Sequence, residues 1–115
     1  MADAATLHTW AAAERYRRQV GGVTVGGVFV PTDADTRDIL TAAVVLATQD
    51  PTYTISSWKT EAGYSTLDAP AIVAFADAVR AHVQACFVKN QYVDALIDAG
   101  TITSHAEIVA AFEDN

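Results

Sequence analysis

Cysteine is nearly absent from this sequence. Cys86 stands alone, so no intramolecular disulfide can form, and a thiolate-rich metal site is excluded. Positive charge is also scarce: 7 Lys and Arg face 14 Asp and Glu, a formal net charge of −7. Nucleic-acid binding draws most of its affinity from neutralised phosphates and needs a basic face, so no nucleic-acid partner is expected. The one basic cluster, Arg15, Arg17 and Arg18, reads as favourable charge in the last turn of a helix. Long apolar runs are missing too. No clearly apolar run is longer than that of residues 42–47, too short to cross a bilayer. Residues 1–20 hold no continuous apolar leader segment. The expectation is a soluble protein with no membrane contact.

Half of the sequence, 51%, is hydrophobic and only 18% is charged, which supports a real core and argues against disorder. A chain of 115 residues fits one domain that folds without disulfides or metals. No Ser/Gly-rich linker or charge block divides it. We read a single domain over 1–115, with an N-terminal helix (1–20), a core (21–87) and a helical extension (88–115).

Leu7, Trp10, Ala11 and Glu14 follow helical spacing from Asp3 to about Val20, and Gly21 is a ready stop. Two β-branched runs then flank Gly26-Gly27, a hairpin signal. Asp33 or Asp35 caps a second helix ending near Gln49, before Asp50-Pro51. Its apolar face is read as Ile39, Leu40, Ala43, Val44, Leu46 and Ala47. Tyr53 to Thr60 and Tyr64 to Leu67 read as a second hairpin around Glu61-Ala62-Gly63. Asp68 is an N-cap, and Leu67 with Ile72 fits a hydrophobic staple. A long helix continues towards Ala99, stopped by Gly100. Ser104 and Glu107 then form a capping box for a last helix carrying Ile108, Val109 and Phe112. The fold class is α+β: two short β-hairpins packed against three to four helices, one of them long and in the C-terminal half.

That long helix spans about 44 Å if unbroken, so it overhangs a compact domain or bends near Lys89-Asn90-Gln91. Ile72, Ala76, Val79, Val83, Cys86, Asn90, Val93 and Ile97 alternate at four and three, a heptad seam with one polar member. Phe75 and Phe87 widen the seam in its first half. Beyond Asn90 the seam is narrow and fits another helix, either the one from Ser104 or one from a partner or second copy.

Sets of residues that carry chemistry are weakly marked. His82 and Cys86 lie four apart, a ligand-compatible spacing, and His105 is a remote third donor. A core cysteine beside a partly buried histidine explains the pair better, so no metal is expected. Asp94 and Asp98 also lie four apart, and a solvated face explains them better than acid–base work. The Gly21-Gly22 and Gly26-Gly27 pairs lack the dinucleotide spacing, and a strand follows them where a helix is needed. No cofactor is expected, nor any catalytic residue.

The wording of several segments is more specific. These are Trp58-Lys59-Thr60-Glu61-Ala62-Gly63-Tyr64, Thr66-Leu67-Asp68 and the helix from Ala78 through Phe87. With Gly21 to Gly27, Pro31-Thr32-Asp33, Leu40-Thr41-Ala42-Ala43 and Asp50-Pro51, they resemble a domain of unknown function from tailed-phage and prophage proteins. The resemblance covers roughly residues 14–87. It departs at Asp35-Thr36-Arg37-Asp38 and at Val88-Lys89-Asn90. It implies a non-enzymatic protein associated with phage tail fibres: a fibre assembly chaperone or an accessory structural component. The implied partner is a fibre or baseplate protein, met in the host cytoplasm during assembly or in the virion tail. The alternative is a small phage protein that binds a host protein, such as a defence inhibitor. An enzyme or small-ligand protein using His82 or the acidic pair is the third reading. For the partner surface the candidates are Trp10, Tyr16, Tyr92, Val93 and Phe112, with homo-oligomer contacts through the helix after Asn90.

Overall fold

Local chemistry accounts for each element of the chain, seen in a computed structural model that describes residues 2–60 and 63–114. The order is α1 (Ala4–Gln19), β1 (Val23–Val25), β2 (Val28–Val30), α2 (Ala34–Gln49), β3 (Thr54–Thr60), β4 (Gly63–Asp68), α3 (Ala69–Asp98) and α4 (His105–Glu113). Helix accounts for 64% and strand for 17% of the described residues, where the strands pair as antiparallel hairpins, so the class is α+β. The expected turn residues Glu61 and Ala62 lie outside the described residues.

The elements fall into two compact units. One is residues 20–82; the other joins residues 1–19 to residues 83–115. Helix α3 is continuous through Asn90, so of the two alternatives, an unbroken helix or a bend near Lys89-Asn90-Gln91, the unbroken one is seen; its first part belongs to one unit and its second part to the other.

In unit 20–82, both turn residues of the first hairpin have positive φ, 56° at Gly26 and 83° at Gly27. A two-residue hairpin loop of that twist demands it. Val23 pairs with Val30 and Val25 with Val28, so four valines share one face and join the core. Thr24 and Phe29 take the other face. Asp33 begins α2 in extended conformation, but its carboxylate accepts from the Thr36 hydroxyl at 2.6 Å instead of capping a backbone N–H. The buried stripe of α2 is Leu40, Ala43 and Ala47. Ile39 and Leu46, expected on that stripe, are exposed. The buried face spans a narrower arc than the run of apolar residues.

Asp68 caps α3 by accepting the Ala71 N–H at 2.9 Å, and Leu67 and Ile72 both enter the core. The Trp58 and Phe75 rings meet edge to face at 6.2 Å between centroids.

In the other unit, Leu7 and Ala11 of α1 pack with Val93 and Ile97 of α3, Ile102, and Ile108 and Phe112 of α4. The partner helices of the narrow seam thus include α1 as well as α4. The Thr101 N–H reaches the Leu96 carbonyl at 2.9 Å and the Gly100 N–H that of Ile97 at 3.0 Å, a Schellman stop for α3. Ser104 accepts the Glu107 N–H at 3.2 Å, and Glu107 reaches back to Thr103 at 3.2 Å, so the box closes one residue earlier than the usual pattern.

By length and composition alone α3 also meets the requirement for a bilayer span: an 18-residue stretch of it averages a mean hydropathy of 1.4. Its buried residues form one stripe, and apolar Phe87, Val88 and Tyr92 stand exposed off it. Ile72, Phe75, Val79, Val93 and Ile97 are buried, whereas Asp77 and Arg80 stand exposed and paired at 3.8 Å.

Candidate functional site

An open concavity lies in unit 20–82, and it follows from an irregularity in β3. Ile55 pairs with Leu67, and Trp58 pairs with Ser65. Three steps on β3 thus match two on β4, which is a bulge at Ser56-Ser57. Residues three apart in a regular strand point to opposite faces. The bulge returns Trp58 to the face of Ile55 and Leu67, and so to the core. Ser57 absorbs the extra residue at φ 64°, a conformation that is strained for a residue with a Cβ.

Beside the bulge lies a groove of about 600 Å³. Ile55 and Trp58 form part of its wall, with Phe29 and Pro31 at the end of β2 and Ile39 of α2. Phe29 is 41% exposed and Ile39 is 54% exposed. Gly22 seats the Phe29 ring: its φ is 93°, and a Cβ there would stand 2.2 Å from the ring. The Gly22 N–H donates to the buried Thr32 hydroxyl at 2.9 Å, tying the entry of the first hairpin to its exit.

The polar lining is sparse. The Thr36 hydroxyl is committed to Asp33, and the Thr60 hydroxyl donates to the Gly63 carbonyl at 2.9 Å. Lys59 is the one charged lining residue among the described residues, and it is exposed. The buried Trp58 Nε1–H has no hydrogen-bond partner among the described residues. Apolar walls with a few placed polar groups suit binding.

The five residues expected at a partner surface are scattered by the fold. Tyr16 and Tyr92 are exposed, at 59% and 55%. On α3, Tyr92 shares an outward face with Ala85, Val88 and Ala95, and the Lys89 ammonium lies 5.7 Å from its ring. Trp10 is half-buried and meets the His105 ring edge-on at 5.4 Å. Val93 and Phe112, expected among the exposed residues, are buried in the helical core, because α1 covers the narrow part of the seam. Phe87 shows the reverse. Expected to widen the buried seam, it is 47% exposed, with the Arg15 guanidinium 4.4 Å above its ring.

No group of three or more His, Cys, Asp or Glu placed to hold a metal ion occurs among the described residues. Cys86 is buried, and burial pushes its thiol pKa up. His105 turns to Trp10.

The acidic pair has a structural partner that spacing alone does not reveal. His8 Nδ1 lies 2.7 Å from Asp94 Oδ1, and His8 Nε2 lies 2.8 Å from Asp98 Oδ1. Asn90 donates to the other Asp94 oxygen at 3.3 Å and accepts from Arg15 Nε at 2.9 Å. This polar ladder joins α1 to α3, so Asp94 and Asp98 are more than a solvated face. Both ring nitrogens of His8 face carboxylates, which favours the doubly protonated ring. The hydrogen bond to Asp94, then that to Asp98, raises its pKa above 6.5. A raised folded pKa gives stability that is complete below the unfolded value near 6.5. That stability is lost as pH rises through the folded value. Thermal melts of the wild type are therefore expected to decline over that range more steeply than those of His8→Gln. Parallel curves would refute the bridge.

The domain of unknown function DUF4376 matches residues 2–114, nearly the whole chain. The chain belongs to the DUF4376 family. No curated protein and no solved structure matches it. The DUF4376 description carries no activity, so the chemistry of this member is read from its own residues.

Sequence reasoning missed Phe29, Ile39 and Lys59 as groove residues. A signal was present: Ile55 and Trp58 are both large and apolar yet an odd number apart, with Ser56-Ser57 between them. A strand buries both on one face only through a bulge.

Proposed function

We propose that this DUF4376 member is a non-enzymatic phage tail-associated protein. In this reading it is a tail-fibre assembly chaperone or accessory component that binds a fibre or baseplate protein in the host cytoplasm. The phage context rests on the worded resemblance over residues 14–87. The binding role rests on one observation above all: an open apolar groove of about 600 Å³, flanked by exposed Phe29 and Ile39 and built on a strained strand. Self-association through α3 beyond Asn90, where Tyr92 is exposed, belongs to the same reading.

Co-expression with a phage tail-fibre protein tests the proposal. The expected result is stable co-purification, and a fibre that aggregates when the chain is withheld. A fibre that is soluble, trimeric and infectious without it would overturn the chaperone role. Recovery of a host protein alone from infected-cell lysate would favour a host-directed role instead. Light scattering of the purified chain reads its self-association directly.

A further inference from the structure

We infer that the groove receives an extended peptide segment of the partner, which lies along the free edge of β3 and presents an apolar side chain next to a carboxylate. The inference rests on the binding role proposed above but not on the partner being a virion protein.

Three observations lead to it. Among the described residues β3 pairs with β4 alone, in a two-stranded sheet, so the backbone N–H and C=O groups of its other edge have no strand partner there. The groove touches four successive β3 residues, Ser57 to Thr60. Trp58 and Thr60 belong to the core-side face, and Lys59, paired with exposed Tyr64, to the opposite one. A cavity that meets both faces borders the edge of the strand. An extended chain laid there continues the sheet, a recurrent mode of peptide recognition in which main-chain bonds hold the segment and pockets select its side chains.

The lining then sets the side chains. Phe29, Pro31, Ile39 and Ile55 offer apolar contact with no polar demand. The Thr36 and Thr60 hydroxyls donate within the chain. Beside these hydroxyls and that of Ser57, which can donate or accept, stand two groups that only donate: the Lys59 ammonium and the Trp58 Nε1–H, which is buried without an acceptor among the described residues. Lys59 has no ion pair among the described residues, in a chain of net charge −7. A carboxylate complements this edge, whereas a basic segment would set its charge against Lys59 and leave the indole unpaired. The strained Ser57 fits the same picture, because the bulge it makes possible sets Trp58 on the core side and Lys59 on the opposite side of the strand edge that the groove borders.

The test titrates the isotope-labelled full chain with a blocked hexapeptide of alternating valine and glutamate. A valine–lysine hexapeptide serves as the control. Trp10→Phe assigns the two indole N–H signals. The expected result is a saturable shift of the Trp58 indole and of the β3 amides with the acidic peptide, with slower indole exchange, and little response to the basic one. Lys59→Glu, at an exposed position, is expected to weaken the acidic peptide at least tenfold while leaving the remaining spectrum in place. Equal response to both peptides, shifts away from β3, or silence at millimolar peptide would overturn the inference. A fibre protein that still co-purifies with Lys59→Glu unimpaired would overturn it too, yet leave the proposed function standing. A non-virion partner captured through β3 would do the converse.

Discussion

Ile72→Ala is expected to lower the stability of the chain by about 2–5 kcal/mol, the range for removing a large aliphatic side chain from a closed core. Ile72 has no exposed surface, and it sits where several elements of unit 20–82 converge. It is the fourth residue of the long helix and one half of the staple with Leu67. Its cluster includes Val30 of the first hairpin, Leu40 of α2, and Trp58 and Phe75. Elements drawn from two hairpins and two helices cannot all close on a vacated site, so a cavity persists and its lining loses dispersion contacts. Urea titration gives the loss directly, and the melting point should fall by roughly 10 °C or more. Ile72→Val removes one methyl and should cost only about 0.5–1.5 kcal/mol. An alanine variant within about 1 kcal/mol of wild type would mean that the site collapses freely, against a closed core around Ile72.

The elements that could be read in the sequence were set by neighbours close along the chain. Asp68 capping α3, Gly26-Gly27 turning a hairpin, Gly100 stopping a helix and Ser104 with Glu107 opening another are all events within about five residues. The seam from Ile72 to Ile97 was legible for the same reason: periodicity is local. What faces that seam was not legible. The spacing of Val93 and Ile97 announces a partner helix without saying which, and α1, more than seventy residues upstream, supplies Leu7 and Ala11. That placement moved Val93 and Phe112 from candidate surface to core. His8 is the plainest case. Nothing near it in sequence marks it, and its meaning lies in Asp94 and Asp98 on another helix. The groove falls between these cases. Its strand was visible, but its shape depends on a bulge that shifts every later side chain to the other face.

At neutral pH, Glu14→Gln is expected to cost about 1.5–3 kcal/mol, the worth of hydrogen bonds to a charged group. Glu14 is buried at 7% exposure, where an isolated carboxylate would be costly. It is held by Arg17 at 3.1 and 2.5 Å and by Arg18 at 2.6 Å. The hydrogen bond from Arg17 is the largest influence lowering its pKa, and it outweighs the opposing effect of burial. Arg17 is 65% exposed, so solvent screens part of that attraction. Arg18, 24% exposed and also bonded to the Phe112 carbonyl, is the more constrained partner. Because the folded pKa is depressed, the stability that Glu14 adds is present above its unfolded value near 4.5 and is lost as pH falls through the folded value. The gap between wild type and Glu14→Gln in urea midpoints should therefore be full at pH 7 and shrink in acid. His8 acts on the other side, losing its contribution as pH rises. A double variant, His8→Gln with Glu14→Gln, should flatten both limbs of the stability profile. A Glu14→Gln gap that stays constant from pH 7 into strong acid would show that the side chain acts through packing, not through its charge.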